Sequence, residues 1–349
     1  MALLSIFCLL LALCPVLSIN STGHFLHITD VHIDPNYDLS GDPQKWCHGS
    51  GDSKNKSPKL GVFGDHNCDS PMALLEFMLK EAKAKVPNPN LIIWTGDSLP
   101  HDKYDEKVLF DILQKVTNAI SAQFPDAVLL PVLGNHDSAP GNSFTDHPAK
   151  QQIYEKMFII WKQWIGQEGK ESFTRGGYYR VETSAGLFLV LNTNIYYESN
   201  SLRKELVEPE DPTGQFDFLQ FELEKARQKG VPVHILGHVP PGAFEEYSNS
   251  DGKAVQRFFT APALTPAFQK NNPAFRVADY NTDTWELEDM NSVHLCALEF
   301  VDYKMFEQCL ANDANTNGQI PAAIPLAIGG FAVPFLVTLS SILTLLLPF

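Results

Sequence analysis

The sequence is short of positive charge. It contains 26 Lys and Arg residues against 41 Asp and Glu residues, which gives a formal net charge of −15 at pH 7 and a pI near 5.1. An acidic surface repels a polyphosphate backbone, so the composition excludes duplex nucleic acid as a partner. It does not exclude a small phosphodiester, because the charge of a bound metal outweighs the distant field of the protein surface.

Internal repeats are absent, and no low-complexity segment precedes residue 314. The chain has 349 residues, of which 44% are hydrophobic. This length is enough for one large domain or two ordinary ones, and the apolar content is enough to bury a sizeable core. The composition therefore argues against a disordered chain.

The N-terminal region lacks basic residues and has an apolar run from Leu3 to Leu17. The run is too short to span a membrane comfortably. Val16 and Ser18 stand where a signal peptidase requires small residues, so we predict a cleaved signal peptide over residues 1–18. The alternative is a buried N-terminal strand or helix.

No charged residue follows Asp313, and an almost unbroken apolar stretch leads from the small and polar residues at 314–319 to Phe349. A transmembrane anchor normally has basic residues on its cytoplasmic side, and this stretch has none. The pattern favours a GPI-attachment signal over residues 314–349, with a tail anchor as the alternative. The candidate attachment residues are Asn312, Ala314, Asn315 and Asn317. We therefore expect a protein that is GPI-anchored at the extracellular face of the plasma membrane.

Cysteine is scarce, and two of the six cysteines, Cys8 and Cys14, lie in the predicted signal peptide. The other four are Cys47, Cys68, Cys296 and Cys309. An even number in an oxidising compartment indicates two disulfides, although free buried thiols are the alternative. Three pairings are possible, and the simplest joins each cysteine to its nearer neighbour, Cys47 to Cys68 and Cys296 to Cys309. Asn20 and Asn55 begin sequons and are candidate glycosylation sites.

Apolar runs rich in β-branched residues alternate with helical patterns. The runs are Phe25–Thr29, Leu91–Thr95, Ala127–Leu133, Leu187–Asn192 and Val231–Leu236. The helical patterns are Met72–Lys85, Lys107–Gln123, Gln151–Ile165 and Phe216–Lys229, the last with an apolar face of Phe216, Leu219, Phe221 and Leu223. Strands that alternate with helices predict an α/β fold whose strands are buried on both faces.

Three local patterns add detail to this prediction. Tyr178–Glu182 and Leu187–Asn192 are expected to form a hairpin. Ser70 and the proline after it form a good pair of N-cap and first-turn residues for the first helix. The polar segment Asn36–Asp69 is predicted to be a loop closed by the Cys47–Cys68 disulfide.

Four of the predicted strands end in polar residues. The four strand ends are Asp30-Val31-His32, Gly96-Asp97, Gly134-Asn135-His136-Asp137 and Gly237-His238. Ligands of open α/β sheets lie beyond the carboxyl ends of the strands, so these residues should converge in space. Carboxylate, amide oxygen and imidazole are ligands of divalent metals. Each piece alone is equally typical of a capping turn, but four in this order predict a metal site.

The four motifs resemble successive motifs of the calcineurin-like metallophosphoesterase superfamily. The surrounding residues resemble its acid sphingomyelinase group, in His27–Pro35, Trp94–Ser98 and Gly237–Gly242. The resemblance covers about residues 24–290 and returns around Cys296–Leu310. It implies a β-sandwich flanked by helices in four α/β/β/α layers, incomplete at the C-terminal side. The implied domains are a metallophosphoesterase domain over 19–266 and a truncated C-terminal region over 267–313.

The resemblance also implies roles for individual residues. Asp30 and His32 would hold one zinc ion, Asn135 and His238 a second, and Asp97 would bridge the two. The pair of metals would activate water for attack on phosphorus and stabilise charge on the phosphoryl oxygens. His136 would protonate the leaving oxygen or bind the transition-state charge. His101 would contact the phosphate, and an exposed loop position is its alternative.

One motif of the superfamily is missing. Its members carry a Gly-His-x-His motif after the Gly-His strand, and each histidine of that motif completes one metal. In this chain the only histidine after His238 is His294, and Phe259 runs directly into a segment that begins at Thr260 and in the family lies beyond the missing motif. A second gap falls near Met290 and Asn291.

Two functions follow from these observations. The first is a zinc-dependent phosphodiesterase that hydrolyses phosphodiester bonds of nucleotides or of phospholipid and sphingolipid head groups. The second is a catalytically impaired surface protein that modulates lipid or regulates a receptor partner. The intact upstream motifs favour the first function, and the missing motif favours the second.

Overall fold

The computed structural model describes residues 22–49, 60–148, 151–183, 186–239, 246–248, 254–257, 261–267, 273–284 and 286–295. The predicted signal peptide, the sequons at Asn20 and Asn55, the Cys296–Cys309 pair and the predicted GPI signal lie outside these residues. Among the described helices, none is long and apolar enough to cross a membrane.

Ten strands and five α-helices are described. The strands are β1 (Thr22–Ile28), β2 (Leu91–Trp94), β3 (Val128–Pro131), β4 (Tyr179–Thr183), β5 (Gly186–Val190), β6 (Val233–Leu236), β7 (Glu246–Ser248), β8 (Ala254–Arg257), β9 (Ala274–Asn281) and β10 (Leu287–His294). The α-helices are α1 (Met72–Lys85), α2 (Glu106–Gln123), α3 (Gln152–Ile165), α4 (Lys170–Gly176) and α5 (Gln215–Lys229). Every strand and helix predicted from the sequence is present, with ends that differ by a few residues.

The first sheet has five strands in the order β10-β9-β1-β2-β3. Strands β1, β2 and β3 are parallel, with Phe25 opposite Leu91 and Leu91 opposite Val128. Strand β9 is antiparallel to β1, and β10 pairs with β9 without a break at Met290 and Asn291. The parallel arrangement places the carboxyl ends of β1, β2 and β3 at one edge of the sheet.

The second sheet has three described strands in the order β4-β5-β6. Strands β4 and β5 form the predicted antiparallel hairpin, and β6 runs parallel to β5. The two sheets pack face to face through a core of Leu91, Ile93, Leu130, Phe188 and Tyr280. Strand β6 therefore ends beside the strands of the first sheet.

Helices cover the outer faces of both sheets. On the first sheet, Trp161 of α3 lies edge-on to Trp94 of β2, with ring centroids 5.7 Å apart. On the second sheet, Ala226 of α5 packs against Leu187 and Leu189 of β5. The predicted four-layer α/β/β/α architecture is thus confirmed.

Two details of the helix predictions are wrong. Ser70 does not cap α1, because its backbone pairs with the strand-end loop instead: its N–H donates to the His32 carbonyl and its carbonyl accepts from the Asp34 N–H. Pro71 is the N-cap residue. On α5, Phe221 is 65% exposed rather than part of the apolar face. It lies two residues from Leu219, roughly 200° around the helix.

Candidate metal centre

The polar residues that follow β1, β2, β3 and β6 converge on the Asp97 carboxylate. Asp97 Oδ2 lies 3.4 Å from His32 Nε2 and 3.3 Å from His238 Nε2. Asp30 Oδ1 lies 3.8 Å from the same His32 nitrogen, and Asn135 Oδ1 lies 2.9 Å from His238 Nε2. The structure therefore brings together all five predicted ligands.

Backbone carbonyls orient both histidines. His32 Nδ1 is 2.6 Å from the Leu99 carbonyl oxygen, and His238 Nδ1 is 2.6 Å from the Thr95 carbonyl oxygen. A carbonyl oxygen only accepts, so each Nδ1 carries the proton. Each Nε2 then faces the carboxylates, which is how metal-binding histidines are commonly held.

The Asn135 amide is held in a similar way. Its Nδ2 donates to Asn142 Oδ1 at 3.2 Å, and the Asn142 N–H donates to the Asn135 carbonyl at 2.7 Å. Because the amide nitrogen is used in this contact, Oδ1 is directed at His238. Asn142 was not singled out by the sequence, since only the folded loop brings it back to Asn135.

Three of the candidate ligands have left-handed backbone conformations. The φ angles are 50° at Asp30, 37° at His32 and 57° at Asp97. Such angles are uncommon for residues with a side chain and cluster at functional sites. The two turns also bond to each other, because Asp30 N–H donates to the Gly96 carbonyl and His32 N–H donates to the Asp97 carbonyl. The local strain is thus fixed by tertiary hydrogen bonds.

Two glycines allow the turns after β2 and β3 to touch. A Cβ on Gly96 would lie 2.1 Å from the Gly134 nitrogen, and a Cβ on Gly134 would lie 2.1 Å from the Asp97 nitrogen. The buried Asp137 carboxylate joins these turns by accepting N–H bonds from Gly134, Asp97 and Ser98 at 2.8–2.9 Å. Burial and the neighbouring Asp97 charge raise the pKa of Asp137 to about 6. The sequence places Asp137 in a motif but gives no sign of this supporting role.

The charged groups of the centre shift one another's pKa values. Burial disfavours the charged form of His238, but Asp97 outweighs this effect and raises the pKa of His238 to about 9. Burial likewise opposes ionisation of Asp97, and His238 and His32 overcome it and hold the pKa of Asp97 well below its usual value. A metal must displace protons from the two Nε2 atoms, so metal affinity should fall as pH falls.

The donor set fits a divalent metal site. Asp30, His32 and Asp97 offer ligand atoms that lie within 4.8 Å of one another. Ligands about 2.1 Å from a tetrahedral metal lie roughly 3.4 Å apart, close to the distances around Asp97 Oδ2. Asp97, Asn135 and His238 form a second group of three around the same carboxylate. The donor set therefore fits a divalent metal site around Asp97.

His136 and His101 lie beside this centre. The His136 backbone N–H donates to Asp97 Oδ1 at 2.7 Å, and its ring stands edge-on to the His32 ring at 5.1 Å. Burial lowers the pKa of His136 to about 4, so its ring is neutral at pH 7. His101 stacks on His32 with ring centroids 4.2 Å apart and is not an isolated loop residue.

A cleft of about 230 Å³ opens next to these two histidines. The loops that follow β2 and β3 form its walls, with Lys103 and Tyr104 on one side and Ser138 and Asn142 on the other. A concave site with a few polar groups beside a candidate metal centre is the expected place for a small substrate.

The sequence missed the residues that surround His101. Asp69 is fully buried, and both its oxygens lie within hydrogen-bond distance of His101 Nδ1, at 2.9 and 3.1 Å. The Trp46 ring also stacks with His101, with ring centroids 5.8 Å apart. Asp69 and Trp46 directly flank Cys68 and Cys47, whose predicted disulfide is confirmed. The sequence feature that could have pointed to Asp69 and Trp46 was their position next to the predicted disulfide.

Comparisons with known proteins agree with this geometry. Residues 23–277 match the family described as Calcineurin-like phosphoesterase. The chain is 33% identical over 325 residues to acid sphingomyelinase-like phosphodiesterase 3b of Homo sapiens. The match covers 77% of this chain and 70% of the human protein. The mouse protein of that name is 38% identical over 327 residues, with the same coverage. A human cyclic GMP-AMP phosphodiesterase is 30% identical over 325 residues and covers 78% of this chain and 70% of its own length. The chain therefore belongs to the calcineurin-like phosphoesterase family, as its motifs predicted.

Proposed function

We propose that this chain is a zinc-dependent phosphodiesterase at the extracellular membrane surface. Its substrates would be phosphodiesters of nucleotides or of phospholipid and sphingolipid head groups. The observation that carries the proposal is the convergence of two oriented histidines, one further carboxylate and one oriented amide on Asp97. The names of its relatives, a sphingomyelinase-like phosphodiesterase and a cyclic dinucleotide phosphodiesterase, support both substrate classes.

Zinc is the metal that the donor set favours. Imidazole nitrogens and carboxylate oxygens suit zinc, whereas magnesium and calcium prefer oxygen ligands alone. The two His Nε2 atoms would be direct ligands, and Asp97 would be shared. When bound, a pair of zinc ions would activate water and neutralise charge on the phosphoryl oxygens.

His136 and His101 would act on the substrate itself. Both rings border the 230 Å³ cleft, so a phosphodiester in the cleft would meet them before any other imidazole of the described chain. A neutral His136 ring donates one N–H and is suited to binding developing negative charge. His101, whose Nδ1 is hydrogen-bonded to the Asp69 carboxylate, would contact the substrate through its other ring nitrogen.

The His136→Ala variant tests this assignment. We expect its kcat for bis-p-nitrophenyl phosphate to fall about 100-fold or more, because one positioned donor contributes roughly that factor. Its zinc content, measured by elemental analysis, should stay unchanged, since His136 is not a ligand. His147→Ala removes an exposed histidine and is the matched control. Loss of zinc from His136→Ala would instead make His136 a ligand.

The missing Gly-His-x-His motif favours a second candidate function. A chain with three described ligands per metal could serve as a catalytically impaired surface protein that modulates lipid or regulates a receptor partner. Zinc content discriminates between the two. Stoichiometric zinc with no turnover of any phosphodiester tested would support the second function over the first.

The surface location has its own test. If residues 314–349 are a GPI signal, phosphatidylinositol-specific phospholipase C should release the protein from intact cells. The released protein should lack a peptide that ends at Phe349. A protein that stays on the cells and retains Phe349 would be held by a tail anchor instead.

A further inference from the structure

His101 is held between residues of one disulfide-closed loop. The Trp46 ring stacks with the His101 ring, and the two rings are 7° from parallel. His32, a candidate metal ligand, also stacks with His101, with an interplanar angle of 23°. The ring is thus fixed in its plane by stacking, and its rotation within that plane depends on its hydrogen bonds.

Asp69 supplies those hydrogen bonds. Its carboxylate accepts the His101 backbone N–H at 2.7 Å and faces His101 Nδ1 at 2.9 Å. The Thr265 hydroxyl donates to the same carboxylate at 3.0 Å and helps to hold it in place. Because a carboxylate oxygen accepts the hydrogen bond, Nδ1 carries the proton, and Nε2 is the ring nitrogen that this contact does not use.

The disulfide joins the two contacts covalently. Trp46 precedes Cys47, and Asp69 follows Cys68, so each cysteine is the neighbour of a residue that touches His101. Both cysteines are fully buried. The Cys47–Cys68 bond therefore ties the stacking partner of His101 to its hydrogen-bond partner.

From this geometry we propose that Asp69 is a positioning residue that fixes the tautomer and orientation of His101. We further propose that the Cys47–Cys68 disulfide is required to keep Asp69 and Trp46 on that ring. The proposal rests on the proposed function only for the consequence in turnover. The arrangement of His101 is a property of the fold and can be measured without substrate.

The Asp69→Asn variant is the sharpest test. An amide can donate to His101 Nδ1 and would favour the tautomer with its proton on Nε2. Nitrogen NMR of the full chain labelled with 15N-histidine should show Nδ1–H at His101 in the original protein and Nε2–H in the variant. We expect kcat for bis-p-nitrophenyl phosphate to fall about 100-fold or more with KM little changed, and zinc content to stay constant. Asp38→Asn alters an exposed carboxylate of the same loop and is the control.

The paired Cys47→Ala and Cys68→Ala variant tests the disulfide. Far-UV circular dichroism and thermal unfolding show whether each variant is folded. If Asp69→Asn does not fold, the paired cysteine variant is used to test the arrangement of His101. We expect a folded protein in which His101 populates both tautomers. If the His101 signals of Asp69→Asn are identical to those of the original protein, Asp69 does not position the ring. If the His101 signals of the paired cysteine variant are identical to those of the original protein, the disulfide is not required. The tautomer change without any turnover in the original protein would support the positioning role while contradicting the proposed function.

Discussion

Asp97→Asn should lower the affinity of the centre for zinc by more than about 100-fold. Changes to groups that only orient ligands lower affinity roughly 10–100-fold, and Asp97 would itself be a ligand. Asp97 Oδ1 accepts the His136 N–H at 2.7 Å, while Oδ2 faces both histidine Nε2 atoms. The amide oxygen of the variant would keep the contact with His136. Its NH2 group would then face the metals, where it offers hydrogens and no lone pair.

Zinc titration with calorimetry and elemental analysis would measure this loss, and both metals should be affected because both use Asp97. Asp105→Asn is the matched control. Asp105 caps α2 by accepting the Val108 N–H at 2.9 Å, and Asn caps a helix about as well as Asp. If Asp97→Asn retains two zinc ions at the original affinity, Asp97 does not bridge them.

The arrangement of the ligands was predictable because it follows from the sheet. Residues directly after β1, β2 and β3 must meet at one edge when the strands are parallel, and the sequence marks these ends with Asp30, Asp97 and Asn135. Local sequence patterns at the strand ends therefore predict which residues form the centre, even though these residues are far apart along the chain.

The contacts around His101 were not predictable in the same way. Asp69 and Trp46 lie in a loop without periodicity, and Thr265 reaches Asp69 across 196 positions of the sequence. Such contacts depend on how the loop is closed and on which side chains fill the space beneath it. Asp137 was missed for a related reason: its partners are backbone N–H groups, which carry no residue-type signal.

The segment after the missing motif still reaches the centre. The Thr265 N–H donates to the Asp30 carbonyl at 2.8 Å, and the Leu264 N–H donates to the Thr29 carbonyl at 3.1 Å. Both residues are fully buried. The five residue-to-residue steps from Thr260 to Thr265 can span at most about 18 Å. Residues inserted directly before Thr260 would therefore be held near the candidate ligands.

Restoration of a Gly-His-x-His segment between Phe259 and Thr260 should consequently strengthen zinc binding by about 100-fold or more, since it adds one ligand to each metal. We expect the chain as it stands to bind zinc weakly and to hydrolyse bis-p-nitrophenyl phosphate poorly. The restored chain should turn the substrate over, and zinc titration should show two tightly bound ions.

The same insertion with both histidines replaced by alanine separates ligand chemistry from repair of the sheet. It should recover any stability that the inserted strands provide without recovering zinc affinity, because the added backbone carries no ligand. Equal affinity in the two insertions would mean that the histidines are not what the centre lacks. If the chain without insertion already holds two zinc ions and matches the restored rate, the additional ligands must come from its own histidines. Of these, His101 is the first to examine because it stacks on His32, followed by His234 and His294.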